Sequence, residues 1–579
     1  MKEDKHMKFF KHLFITGMLL AVSAALYAQE PNSLNKELIL VRPYEPSVTN
    51  AQKINILPEL RDTARIKPTF KYTIKSKRID THPNVTPISA AKLQALPQSK
   101  LYHGYMKIGI GTQFHPVAEA AINTLRNDKL AAGALLKFDG MFDNVKLANN
   151  EKVYAGATDA HAKLFMQKFY RTSYLYGDLG LAGKTVHNYG YNTDLYNRHA
   201  GRDTLMAKDD IRKHYTFADT RIGIRSSHFH TDKLNYNVQA IYRYAGNRTD
   251  SHGDRRPPTP NTQRHYKESD INLNAQLDNN MFGGNVDLQY YTGSKAFDSL
   301  RNTFTLGVNP WFILDNDSIR LEVGMRVAIY KEGNGILQYK IYPKVEFQFT
   351  LLHDVFIPFL GIDGALKTNT FRELVEENPF ITPGLSVPLT NAKLTIYGGL
   401  KGSITSKLSY YVKASFTTSD NEHYFVNDTA WSKAQNYFTA IIDDVSLFSA
   451  GTEIYYNPNE QLELRLKAKY NRYETTTEKF AWHRPEWETE LSAKYRYRKL
   501  RFTFDMLGIG KRYAKSFDPA IEYYTLKHAL DFNLGIEFQY IKQLTFFLKL
   551  NNFTEAKYYR WNFYPSQGFN LLGGITFSL

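Results

Sequence analysis

The 579-residue sequence contains no cysteine. Structural disulfides, cysteine metal sites and a lipid-modified cysteine are thereby excluded. A long apolar run is the second thing missing. After residue 28 no stretch of about 18 apolar residues occurs, and the mean hydropathy is −0.44. Membrane-crossing helices are excluded. Crossing strands are not, because they need only every second residue to be apolar. Tryptophan is scarce, at 5 residues against 40 Tyr and 37 Phe. Such an aromatic excess without tryptophan suits strands and interfacial girdles. Neither a P-loop nor a dinucleotide fingerprint is present, and no serine–histidine–aspartate set has a recognisable local context. The chain reads as a non-enzyme with no cofactor.

What the sequence does have is period-two patterning. In Leu462–Asn471 the even positions are apolar and the odd ones charged or polar. In Trp487–Arg498 the odd positions are apolar, apart from Thr489, and the even ones polar or charged until Arg498. Strand side chains alternate between faces, so each run has an oily face and a charged face. A soluble sheet turns the oily face to a core, whereas a membrane barrel turns it to lipid. Strand-like runs follow one another from Tyr102 to Leu579, about 22 in all. Tight turns at 127–129, 315–317 and 542–543 alternate with long polar connections at 141–157, 187–212, 247–267, 369–391, 419–437, 474–486 and 557–568. Short turns at one end and long loops at the other are the outer-membrane barrel signature. A soluble propeller would show a repeat of about 40–50 residues, and none is found. A barrel must close, so Phe569–Leu579 has to pair with the first strand near Tyr102–His115.

The N-terminus fits export. Lys8, Lys11 and His12 precede an apolar stretch, Leu13–Leu26, that ends in Tyr27-Ala28. This is the pattern of a signal peptide, 1–28, cleaved after Ala28. With no cysteine, such a chain fits a Gram-negative envelope better than a secreted eukaryotic setting. Residues 29–101 carry Pro31, Pro43, Pro46, Pro58, Pro68, Pro83, Pro87 and Pro97, which reads as an extended periplasmic arm able to bind a partner or part-fill a lumen. Residues 102–579 form the barrel. The all-β reading is thus a transmembrane antiparallel barrel in the outer membrane, among lipid and lipopolysaccharide. Lysine and arginine total 73 against 57 acidic residues, a formal charge of +16. Without a nucleic-acid-binding motif, this excess points to lipopolysaccharide phosphates, an anionic solute, an acidic partner or a generally basic solvated surface.

The C-terminal segments Leu550-Asn551-Asn552-Phe553, Lys557-Tyr558-Tyr559-Arg560-Trp561, Tyr564-Pro565 and Gly568-Phe569 resemble the last two strands of TonB-dependent receptors. Pro68–Ile74, Pro87–Leu93 and Lys100–Tyr105 resemble the start of Bacteroidota outer-membrane proteins often given that label. The likeness continues at Tyr397–Gly402 and Phe425–Asp428. It implies solute uptake or passage across the outer membrane. The chain departs from the family pattern before its barrel, because 29–101 is shorter than a plug domain, lacks a glycine-rich plug core and holds no defensible TonB box. A non-transporting barrel that scaffolds an envelope assembly, for protein insertion or secretion, is the alternative.

If the oily faces meet lipid, Glu463, Arg465, Lys467, Lys469, Glu488, Glu490, Lys494, Arg496 and Arg498 line the lumen, either tuning solute selectivity or forming an ion-pair ladder that stiffens the wall. Tyr455, Tyr470, Trp487, Tyr558 and Trp561 read as membrane-girdle residues. His228 and His230 could form half a metal site but lack a third ligand nearby, and Glu376-Glu377 reads as loop surface. No metal site is expected.

Overall fold

The computed structural model describes residues 102–125, 127–192, 208–227, 234–249, 265–279, 281–294, 302–352, 354–432 and 434–579. The signal segment, the proline-rich arm, and His228 and His230 lie outside the described residues. Twenty-two strands form a closed sheet in which each pairs antiparallel with its barrel neighbours. The first strand, Gly104–Gly111, pairs with the last, Asn570–Ser578, through Met106 opposite Phe577 and Ile108 opposite Ile575. The expected closure is therefore met. No helix among the described residues is long and apolar enough to cross a membrane.

The two ends of the barrel differ as the loop rhythm predicts. At one end the connections are short, including the two-residue turns 406–407, 460–461 and 498–499. Four of these turns share one device. Asn127, Asn279, Asn316 and Asn459 each accept, through Oδ1, the backbone N–H groups two and three residues on, at 2.7–3.2 Å. An asparagine that mimics a backbone turn in this way reverses the chain in little space. At the other end lie the loops 142–156, 368–389, 476–486, 510–528 and 552–569, with the described residues 188–192 and 208–211.

The outward face is apolar from strand to strand. Ile110, Ile222 and Leu273 are 61%, 58% and 47% exposed, and Leu136, Leu181, Phe416, Tyr470 and Phe546 share this surface. An apolar patch that runs round a whole sheet is untenable in water and suits lipid. The inward face is polar, with acid–base contacts between neighbouring strands: Arg221–Asp178 at 2.9 Å, Arg243–Asp270 at 3.1 Å and Arg501–Glu537 at 3.2 Å. Where the strands reach the loop end, that inward face turns aromatic. Tyr215, Phe217, Tyr266 and Phe425 are buried there, together with residues of the long loops. The principal core of this barrel is thus a cap inside its loop end.

A cap of inward-folded loops

The cap is built around loop 368–389, which holds a short helix, α1 (Phe371–Glu377). Thr370 starts the helix by accepting the Glu373 N–H through its side chain at 3.2 Å. Phe371, Leu374 and Val375 follow at helical spacing and are all but fully buried against the aromatic rim. The rest of the loop descends with them: Ile381 is fully buried, and the Thr382 N–H donates to the Phe438 carbonyl at 2.8 Å.

Wall side chains bolt this loop in place. Glu268, on strand His265–Asp278, accepts the backbone N–H groups of Phe371 and Arg372, each at 3.0 Å, and the Tyr291 hydroxyl at 2.8 Å. These are otherwise unpaired N–H groups of a helix start, so a buried carboxylate finds matched donors there. The Arg372 guanidinium forks onto Asp219, with Nη2 donating to Oδ2 at 2.9 Å. Lys213, also buried, donates to the Ile381 carbonyl at 2.6 Å and sits 4.1 Å above the Tyr437 ring. Tyr215 donates to the Pro379 carbonyl at 2.7 Å. At the far end of the helix, Glu377 accepts from Arg484 at 2.6 Å and lies 3.3 Å from His423 Nε2. Burial alone would lower the Arg484 guanidinium, but the charges of Glu377 and Glu422 override it and hold it above its usual value.

Other loops complete the cap. Trp561 and Tyr564 of loop 552–569 pack on Phe425 and Phe438, and Tyr564 stacks on Phe380 with ring centres 3.9 Å apart. Tyr564 donates to the Asn436 carbonyl at 2.6 Å. Asn188 and Asn436 exchange amide-to-carbonyl hydrogen bonds at 2.7 and 3.0 Å. Gly190 is needed for this contact, because a Cβ there would overlap the Tyr564 ring. His483 donates through Nδ1 to the Phe425 carbonyl at 2.9 Å and accepts the Asn562 N–H at 3.2 Å through Nε2. Burial pushes its imidazole down to about 3, so it is neutral at physiological pH.

The two alternating runs lie side by side in the wall. Leu462, Leu464, Leu466, Ala468 and Tyr470 stand opposite Tyr495, Ala493, Leu491, Thr489 and Trp487 on one face. On the other face Glu463, Arg465, Lys467 and Lys469 stand opposite Lys494, Ser492, Glu490 and Glu488. Lys494 pairs with Glu463 at 3.0 Å, and Lys467 reaches Glu453 on the preceding strand at 4.0 Å. The Arg465 guanidinium lies 5.3 Å from the Tyr455 ring. Arg496 extends the charged face, opposite Arg501. Arg498 departs from it, occupying the 498–499 turn with φ +53° and its guanidinium 5.5 Å from the Tyr497 ring.

Three girdle assignments are corrected. Tyr455 shares the charged face with Glu453, to which its hydroxyl donates at 2.9 Å, because its register places it opposite Arg465. Tyr558 and Trp561 are each 6% exposed and belong to the folded-in loop, where Tyr558 donates to Asp531 at 3.0 Å. Tyr470 and Trp487 stay on the apolar outer face. Glu377 is likewise no loop-surface residue, being buried and ion-paired, although Glu376 beside it is exposed. From sequence the long loops are only one of three candidates to block so wide a barrel, beside the arm and a partner, and no residue is assigned to the cap. Its one local signal was the Thr370-Phe371-Arg372-Glu373 start, a helix cap ahead of an apolar pair.

No family model matches the chain, and no curated protein matches it. Solved structures do resemble it. A pyoverdine outer membrane receptor from Pseudomonas aeruginosa is similar over 84% of this chain and 80% of its own, with TM-score 0.61 and 10% identity. The FrpB iron transporter from Neisseria meningitidis is similar over 83% and 82%, with TM-score 0.60 and 12% identity. The copper transporter OprC is similar over 82% and 80%, with TM-score 0.58 and 11% identity. At such identities the likeness is one of fold: this chain has the large barrel architecture of outer-membrane receptors and transporters.

Proposed function

We propose that this protein is an integral outer-membrane barrel of the receptor type that moves a solute across the membrane, with the inward-folded cap as its gate. One observation carries the reading. The loop residues of the buried cluster at the long-loop end can leave without breaking a single strand pair of the barrel. Residues 1–28 then serve as the signal peptide and 29–101 as the periplasmic arm. Glu463, Arg465, Lys467, Lys469, Glu488, Glu490, Lys494 and Arg496 line the solute's path below the cap, and the net positive charge favours an anionic solute. Lipid and lipopolysaccharide surround the apolar belt.

The test is single-channel recording in planar bilayers. The full chain is expected to be closed. Glu377→Ala or Glu268→Ala, which release α1 at either end, are expected to produce discrete openings. If both variants fold, release the loop to protease and still pass no current, the gate is refuted.

A second reading has its own support. The cap is packed to core standard, with Phe371, Val375, Ile381 and Phe438 fully buried, which suits a barrel that stays shut and scaffolds an envelope assembly through its loops and arm. Stoichiometric co-purification with other envelope proteins from native membranes, combined with closure in every cap variant, would favour it.

A further inference from the structure

The strand ladder leaves part of the wall unzipped. Strands Gln338–Phe349 and Ile357–Lys367 are paired only from Val345 opposite Ile362 to Gln348 opposite Phe359. Towards the loop end, 338–344 stay paired to strand Ile319–Glu332 and 365–367 to strand Thr390–Thr405, but not to each other. The sequence itself stops the ladder. Continuing the register would set Pro343 opposite Gly364. Proline has no N–H to give, and the Gly364 N–H donates instead to the Asp363 carboxylate at 2.8 Å, beside a bulge in the pairing to strand Thr390–Thr405.

Side chains hold this seam in the ladder's place. The Tyr342 hydroxyl donates to Asn391 Oδ1 at 2.7 Å, and Arg326 donates through Nη2 to Asp363 at 3.0 Å. Past the seam the chain leaves the wall for the lumen. The Thr368 hydroxyl donates to Gln289 at 2.8 Å, on strand Phe282–Gly293, although strands Thr303–Asp315, Ile319–Glu332 and Gln338–Phe349 lie between them in the wall.

Two media meet at this edge. Tyr342 and Lys344 mark its inward side by their bonds to Asn391 and Glu322. Lys340 shares that side by alternation and is in no ion pair among the described residues. Tyr339 and Ile341 point the other way and continue the apolar belt, 72% and 60% exposed; no large apolar side chain within a described strand is more exposed than Tyr339. Unpaired backbone is tolerated at membrane depth only where protein or water reaches it, so lumen water and lipid adjoin here. An amphiphile suits such a boundary: its tail asks for apolar lips and no hydrogen bonds, and its head for water and, beside Lys340, a negative charge. A strand from another polypeptide fits worse, because Pro343 and the occupied Gly364 N–H remove ladder bonds that it would need.

We propose that the seam is a lateral portal for an anionic phospholipid of the surrounding membrane. The tail enters between 338–344 and 363–367, and the head group stays beside Lys340 on the lumen side. The portal lies in the wall and does not require that a solute passes the cap.

The test uses the absence of cysteine. A single fluorophore is attached through Gln338→Cys, on the lumen side of the edge, or through Lys467→Cys, on the charged face of a wall paired on both sides. The full purified chain is then placed in nanodiscs whose phospholipid carries bromine in its tails. The label at 338 is expected to be quenched and the label at 467 not. Brominated phosphatidylglycerol should quench at 338 about fivefold more effectively than brominated phosphatidylcholine, and Lys340→Gln should remove that preference. Tyr342→Phe, which loses only the hydroxyl that latches the seam, should raise the quenching further. Should either of these variants fail to fold, as judged by heat-modifiable migration in gels, the comparison of the two labels and the two lipids decides alone. Equal quenching at 338 and 467, equal quenching by the two lipids, or a preference that Lys340→Gln leaves unchanged would each overturn the proposal.

Discussion

Charge is held in two different ways in the two halves of the lumen. Along the wall, Lys494 and Glu463 are each more than 40% exposed and meet as cross-strand neighbours on a face that water reaches. Inside the cap, Glu377 is 6% exposed at its side chain and joins a helix end to Arg484, a residue of a different loop. The wall pair contributes little and can be lost cheaply, since screening and side-chain entropy cancel most of the attraction. The cap pair is different: with its partner deleted, a charge stays behind in a dry place. The wall therefore stands on its strand ladders and the cap on a few specific bolts, so single substitutions should open the cap while leaving the barrel intact.

Glu377→Ala tests this contrast most severely. It takes from Arg484 the closer of its two carboxylates, leaving Glu422 at 3.8 Å, and is expected to cost the cap about 2–3 kcal/mol, seen as protease cleavage within 368–389 while the barrel keeps its heat-modifiable migration. Acid should act next. The folded His483 lies at about 3 against an ordinary 6.5, so the unfolded cap takes up the proton more readily than the folded one. The stability this neutral histidine contributes is complete above 6.5 and drains away as pH falls towards 3. Two pH units below 6.5 the loss is on the order of 2–3 kcal/mol, so protease sensitivity of the cap should rise there, and His483→Phe should flatten the profile. Gly190→Ala forces a methyl group into Tyr564 and is expected to cost about 1–3 kcal/mol, with the cap's near-ultraviolet aromatic signal reduced. Lys494→Ala should fall below about 1 kcal/mol and leave both cap and barrel unchanged by either assay. A large effect of Lys494→Ala on the cap would erase the distinction between the two regions.

The same contrast explains what could be read in advance. Strand pairing is written locally: alternation at 462–470 and 487–495 marks two faces, and Asn127 and Asn316 mark turns, so closure and the short-turn end follow from period and punctuation. The cap is written across long separations. Glu268 meets Phe371, Lys213 meets Ile381 and Asn188 meets Asn436, and no window of sequence contains both partners. Tyr558 and Trp561 show the consequence. As aromatic residues near the last strand they carry the composition of a membrane girdle, and only the inward fold of 552–569 assigns them to the cap. Tyr455 was misread for a smaller reason, because its neighbour Tyr456 carries the outward phase.

The central claim is that the lumen is closed at its long-loop end by the barrel's own loops. Single-channel recording of residues 102–579 alone, with the preceding segment removed, tests it most directly. The barrel is expected to stay electrically silent and to begin conducting when Glu377→Ala is introduced. A steady large conductance from the unmutated 102–579 barrel would contradict the claim, and would place the block in the segment that was removed.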